Sequence, residues 1–144
     1  MKFLFLITAI ITPTLAAVSG ITGVDCDGYT FTSAQVSAAA NAALKHLNDG
    51  TQVGSNNYPH QFNNFERFTF NSGCTVPYYE FPLYRPYVYT RGVPGPDRVI
   101  IGSWNGTDAA FCVIPQKWVD GRNFCFSPSS FFLPVRRKRE EGKG

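Results

Sequence analysis

The stretch YPHQFNNFERFTF, residues Tyr58 to Phe70, decides how the rest of the chain is read. Strand signals cover 58–62 and resume at 67–70. The Asn63-Asn64 pair between them is a turn signal. Tyr58 and His60 are two residues apart, so on a strand their side chains point to the same face.

Downstream, two further strand candidates each carry one charge that an apolar strand does not explain. Glu80 stands in the middle of Tyr78-Tyr-Glu-Phe-Pro82, and Arg98 opens the apolar run Val99 to Ile101. Charged groups in such strands need partners. A facing cluster of His60, Glu80 and Arg98 satisfies all three. It reads either as a buried ion-pair network or as a reaction site, and spacing alone does not separate the two.

Upstream lies the one clear helix. Thr32 with Gln35 three residues on forms a capping box. Over 33–47, Val36, Ala40, Ala43, Leu44 and Leu47 share one face, and Asn48-Asp-Gly50 ends the run. Before it, the residues around Cys26-Asp-Gly read as an extended or hairpin-forming lead-in. Beyond the central strands, further candidates lie at 111–115 and 123–126. One N-terminal helix followed by short strands is an α+β layout. The helix packs on one face of a curved antiparallel sheet and leaves the other face for a site.

The ends differ from this body. Lys2 and the apolar run Phe3 to Ile11, followed by Ala16, Ala17 and Ser19, read as a secretory signal. The alternative is a buried first strand. The signal is placed at 1–19, with the mature chain starting between Ala17 and Gly20. A domain follows at 20–134, and a basic tail at 135–144. Of the formal charge of +3, the tail contributes most. Residues 18–135 hold seven Lys or Arg against eight Asp or Glu, a net of −1. Bulk charge therefore does not make the body a nucleic-acid surface.

Secretion makes the four cysteines a disulfide set, since an oxidising route favours bridges and no CxxC pair suggests zinc. Three pairings are possible. Cys26–Cys125, which ties the chain ends, and Cys74–Cys112 are favoured. Asn105-Gly-Thr is an N-glycosylation sequon, used or unused. No metal and no cofactor is expected, no membrane association after signal removal, and a monomer.

Four stretches carry a resemblance over about Cys26 to Phe126: Ser33-Ala-Gln-Val-Ser-Ala-Ala-Ala-Asn41, GSNNYPHQFNNFERFTF (54–70), YYEFP (78–82) and GPDRVII (95–101), with a weaker match at Gly121-Arg-Asn-Phe124. In these the chain resembles the fungal guanyl-specific extracellular ribonucleases. The resemblance implies that Tyr58 and His60 contact phosphate and assist the base. It makes Glu80 the general base, Arg98 the group that stabilises phosphate charge, and Phe124 a residue lining the site. The guanine pocket falls on Phe62, Asn63, Asn64, Phe65 and Glu66, and Asn123 also belongs to guanine binding. Single-stranded RNA and guanine nucleotides are the implied ligands.

Departures from the family pattern accompany the match. Gln116 falls where the family has its general-acid histidine, and Gln cannot release a proton. The one other histidine, His46, lies on the helix. Both pocket tyrosines are phenylalanines (Phe62, Phe65), Arg67 stands where a glycine is usual, and Arg122 replaces an asparagine. Trp118 and Asp120 alter the loop beside Gln116. Two function classes follow: a guanyl-preferring endoribonuclease of impaired turnover, and a non-catalytic ribonuclease-like secreted effector that binds RNA or a host protein.

Overall fold

The structure is a computed structural model that describes residues 15–26, 29–65 and 67–113. The elements in chain order are β1 (Val18–Ser19), β2 (Val24–Cys26), β3 (Tyr29–Phe31), α1 (Ser33–Asp49), β4 (His60–Phe62), β5 (Tyr78–Pro82), β6 (Arg98–Gly102) and β7 (Ala109–Phe111). A five-stranded sheet has the order β1-β7-β6-β5-β4, and β2 and β3 form a separate hairpin.

Helix α1 begins and ends where its caps dictate. The Thr32 side chain accepts from the Gln35 backbone N–H, and the Gln35 side chain accepts from the Thr32 N–H at 2.9 Å. Gly50 closes the helix in the left-handed region at φ 64°, where a glycine carries no Cβ penalty. The buried face is Val36, Ala39, Ala40, Ala43 and Leu44. Its small residues let the helix lie close against β5 and β6.

Strand parity divides the sheet. Phe81, Val99, Ile101 and Phe111 join the helix in the main core. Phe62 and Ile100 point to the opposite face. There they pack with the Cys74–Cys112 disulfide and the rings of Phe68, Phe70 and Tyr78. The bridge lies directly over Gly102, where a Cβ would stand 2.9 Å from both sulfurs and 2.6 Å from the Thr75 carbonyl oxygen. No other residue fits there without displacing backbone.

Three features differ from the sequence reading. Residues 67–70 form no strand. Arg67 sits at φ 59°, which breaks the extended run, and Phe68 and Phe70 contribute rings to the second cluster instead of a ladder. The strand expected at 111–115 ends at Phe111 and begins earlier, at Ala109. Val18–Ser19, placed inside the expected signal, pairs parallel with β7, so the sheet is antiparallel except at this edge. The Cys74–Cys112 bridge is formed as expected. Cys125, the expected partner of Cys26, lies outside the described residues, as do the expected strand at 123–126 and the basic tail.

Candidate active site on the open face of the sheet

Register places the charged residues together. His60 is opposite Glu80 in the β4–β5 ladder, and Glu80 is opposite Ile100 in the β5–β6 ladder. His60 Nε2 lies 3.3 Å from Glu80 Oε1, and Arg98 Nε lies 3.9 Å from Glu80 Oε2. The carboxylate is therefore held between two cationic or potentially cationic groups, and only 15% of the Glu80 side chain is exposed. Partial burial strengthens such contacts relative to water.

Tyr58 supports both neighbours. Its ring stacks on that of His60 at 4.6 Å between centroids, and the Arg98 guanidinium carbon lies 5.1 Å above its centroid. Tyr58 itself is 3% exposed, so its ring is a platform within the site. The turn before it brings the chain in: the Val53 N–H donates to the Tyr58 carbonyl oxygen, and the Tyr58 N–H donates back to the Val53 carbonyl oxygen. Gly54 allows this turn to pass over the Tyr89 hydroxyl, which a Cβ would meet at 2.1 Å.

Arg98 has a second attachment that sequence reasoning missed. Its Nη1 donates to the carbonyl oxygens of Pro94, Gly95 and Asp97 at 3.1, 2.7 and 2.8 Å. One end of the guanidinium thus fixes the loop before β6, and Nε faces Glu80. Nothing in the composition of 92–97 signalled this cradle of carbonyls. Asp97 beside it is half-buried. That burial pushes its carboxyl pKa up, and the nearby Arg98 and Arg85 oppose the rise.

The loop after β4 is closed by Asn64. Its side-chain NH2 donates to the Phe68 carbonyl oxygen at 2.9 Å, and its carbonyl oxygen accepts from the Phe68 N–H at 2.8 Å. Asn64 at φ 52° and Arg67 at φ 59° both occupy the left-handed region. Asn tolerates it through local hydrogen bonds, whereas Arg carries the steric cost. Phe62 is buried, with its ring parallel to that of Phe68 at 6.4 Å. Asn63 and Phe65 are exposed, Phe65 at 83%. Glu66, Gln116, Asn123 and Phe124 lie outside the described residues. Asn105 is exposed, and its side chain accepts from the Thr107 and Asp108 N–H groups.

His60, Glu80 and Arg98 are thus gathered at one point of the open face, with Tyr58 of the main core buried beneath His60 and Arg98, and the loop 63–65 lies at one edge. Among the described residues no group of three or more His, Cys, Asp or Glu is placed to hold a metal. No helix among them is long and apolar enough to cross a membrane.

Comparison with known proteins gives the family. A family model described as ribonuclease matches residues 20–125. The guanyl-specific ribonuclease N1 of Neurospora crassa is 39% identical over 100 residues, which span 69% of this chain and 62% of that protein. The guanyl-specific ribonuclease T1 of Aspergillus oryzae is 37% identical over 127 residues, spanning 84% of this chain and 93% of that one. Among solved structures, a ribonuclease from Hericium erinaceus is 33% identical and covers 72% of this chain and 98% of its own, with a TM-score of 0.46.

Proposed function

Because the chain belongs to the ribonuclease family, we propose that it is a secreted, guanyl-preferring endoribonuclease that cleaves single-stranded RNA on the 3′ side of guanosine. The reaction is a transesterification. Glu80 takes the proton of the 2′-hydroxyl as the O2′–P bond forms. The P–O5′ bond then breaks, leaving a 2′,3′-cyclic phosphate and a free 5′-hydroxyl. Arg98 and His60 stabilise the charge on the phosphoryl oxygens, and the Tyr58 ring holds both in place. Guanine sits in the loop 62–66. Exposed Phe65 supplies a stacking ring, backbone groups read the base edge and the Glu66 carboxylate accepts from its N–H groups.

The observation that carries this reading is the Glu80 carboxylate set 3.3 Å from His60 Nε2 and 3.9 Å from Arg98 Nε on the open face of the sheet. A buried ion pair made only for stability gains little over apolar packing, and this one opens to solvent through His60, whose side chain is 37% exposed.

Turnover is slowed. With Gln116 in place of the general acid, O5′ takes its proton from water, and loss of a general acid costs about 10²–10⁴-fold. The second reading rests on the same residue. A site that keeps its base and cations but lacks its acid suits a non-catalytic module binding RNA or a host protein.

Incubation with a GpC dinucleotide and with single-stranded RNA separates the two. Release of 2′,3′-cyclic GMP that Glu80→Gln abolishes supports the enzyme. No cyclic product at stoichiometric protein sinks it. Gln116→His raises the rate by about 10²–10⁴-fold if the acid is the one missing part.

A further inference from the structure

The segment between β5 and β6 carries an aromatic column that the reaction does not use. Tyr87 stacks on Tyr84 (5.6 Å, 15° between planes), and Tyr84 stacks on Tyr89 (5.8 Å, 10°). Tyr89 meets Tyr58 edge-on at 5.8 Å. The column therefore runs from the platform under Arg98 out to solvent. Its inner end is packed, with Tyr89 1% exposed, and its outer end is not, with Tyr87 63% exposed. The Tyr89 hydroxyl donates to the Gly92 carbonyl oxygen at 2.8 Å, and that of Tyr84 donates to the Val93 carbonyl oxygen. These bonds anchor Tyr84 and Tyr89, and Tyr87 rests on the Tyr84 ring.

Core filling explains Tyr89 but not Tyr87. A tyrosine that stacks on a hydrogen-bonded ring and keeps its outer side open is a ready surface for a flat partner. Charge suits a phosphodiester: Arg85 and Arg91 are exposed in this segment, and its one acid, Asp97, is half-buried beside Arg98. Arg85 is itself braced, its Nη1 donating to the Thr30 carbonyl oxygen at 3.0 Å and its guanidinium lying over the rings of Tyr29 and Phe31.

Ladder register gives the direction. Phe62 pairs with Tyr78 at one end of the site, where the loop 63–65 begins. Pro82 pairs with Arg98 at the other end, where the tyrosine segment begins. His60 and Glu80 lie between. A guanosine in the first loop sets its 3′ phosphate at the centre, and the chain continues toward the tyrosines.

We propose that Tyr87, backed by Tyr84 and flanked by Arg85 and Arg91, is a second nucleobase platform that takes a nucleotide downstream of the scissile phosphate. This rests on the guanosine placement of the preceding section, so the test separates the two. Three ligands are titrated by fluorescence anisotropy or competition: 3′-GMP, an RNA heptamer with a 2′-deoxyguanosine at its 5′ end, and a heptamer ending in 2′-deoxyguanosine 3′-phosphate. The missing 2′-hydroxyl prevents cleavage at the deoxyguanosine, and neither heptamer holds another guanosine.

Tyr87→Ala, checked for fold by circular dichroism, is expected to weaken the first heptamer at least about fivefold, the loss of one stacked base. It leaves 3′-GMP and the second heptamer within about twofold, and Tyr87→Trp keeps the affinity. Equal loss for both heptamers, no loss for the first, or a wild-type protein that binds it no tighter than 3′-GMP overturns the platform. A wild-type protein that ignores 3′-GMP but still shows the Tyr87 dependence overturns the guanosine pocket and leaves the platform standing.

Discussion

Ile100 and Ile101 are neighbours on β6, alike in chemistry, and buried to 2% and 0% exposure, yet they belong to two differently built halves of the molecule. Ile101 faces α1 in a continuous apolar core that draws on the helix, the five-stranded sheet and the β2–β3 hairpin. Ile100 faces the open side, opposite Glu80, in a small cluster of rings around one disulfide. The helix face is held by area removed from water. Among the described residues the site face has the smaller apolar cluster, and a covalent bridge, a glycine under it and an asparagine-closed loop add to its hold. Charge is tolerated on that second face because partners and solvent are within reach.

Substitutions on the two faces test this contrast. Ile101→Ala opens a cavity in the larger core and is expected to cost about 3–5 kcal/mol in denaturant unfolding, with the pH profile of cleavage unchanged in the folded protein. A small cost would mean that the helix face is looser than its packing suggests. Replacing both Cys74 and Cys112 by serine frees a loop whose ends are 38 residues apart. That loss amounts to about 3–4 kcal/mol in the chain-entropy model. If the loss falls below about 1 kcal/mol, the ring cluster holds the site face without the bridge. Ile100→Ala removes the residue under Glu80. A cost of about 2–3 kcal/mol is expected, because a small cluster at the surface relaxes more readily, and cleavage of GpC falls further than for Ile101→Ala.

Two smaller effects sharpen the picture. Arg67→Gly relieves a left-handed residue in the loop after β4. Relief of that strain outweighs the added freedom of the unfolded chain, for a net gain of about 0.5–1 kcal/mol, read as a higher denaturant midpoint. His46, on α1, is held below its ordinary pKa of 6.5, first by burial and then by Lys45, with Asp49 opposing. The unfolded chain then takes up a proton near 6.5 that the folded chain refuses. His46 thus supports the fold above that pH and ceases to as pH falls through its folded value. Between pH 7 and pH 5 the wild type should lose slightly more stability than His46→Gln, measured by urea titration at each pH.

The helix was fully legible, because caps and periodicity are local: Thr32, Gln35 and Gly50 act within one turn of their positions. So was the meeting of His60, Glu80 and Arg98, since a charge in an apolar strand demands a partner. The strand expected at 67–70 was not formed, because a single left-handed residue outweighed the β-pattern of its neighbours. Arg98's hold on three loop carbonyls left no trace in composition.

By itself the sequence determined the helix, the central strands around His60, Glu80 and Arg98, the α+β layout and the ribonuclease family, all of which follow from short-range pattern. Tertiary structure alone decided the parallel seat of Val18–Ser19 beside β7, the disulfide laid over Gly102, and the column from Tyr58 to Tyr87. Each joins segments that are far apart in the chain or bent through irregular loops, where side-chain periodicity no longer reports direction. Such contacts are set by packing and hydrogen-bond satisfaction in three dimensions.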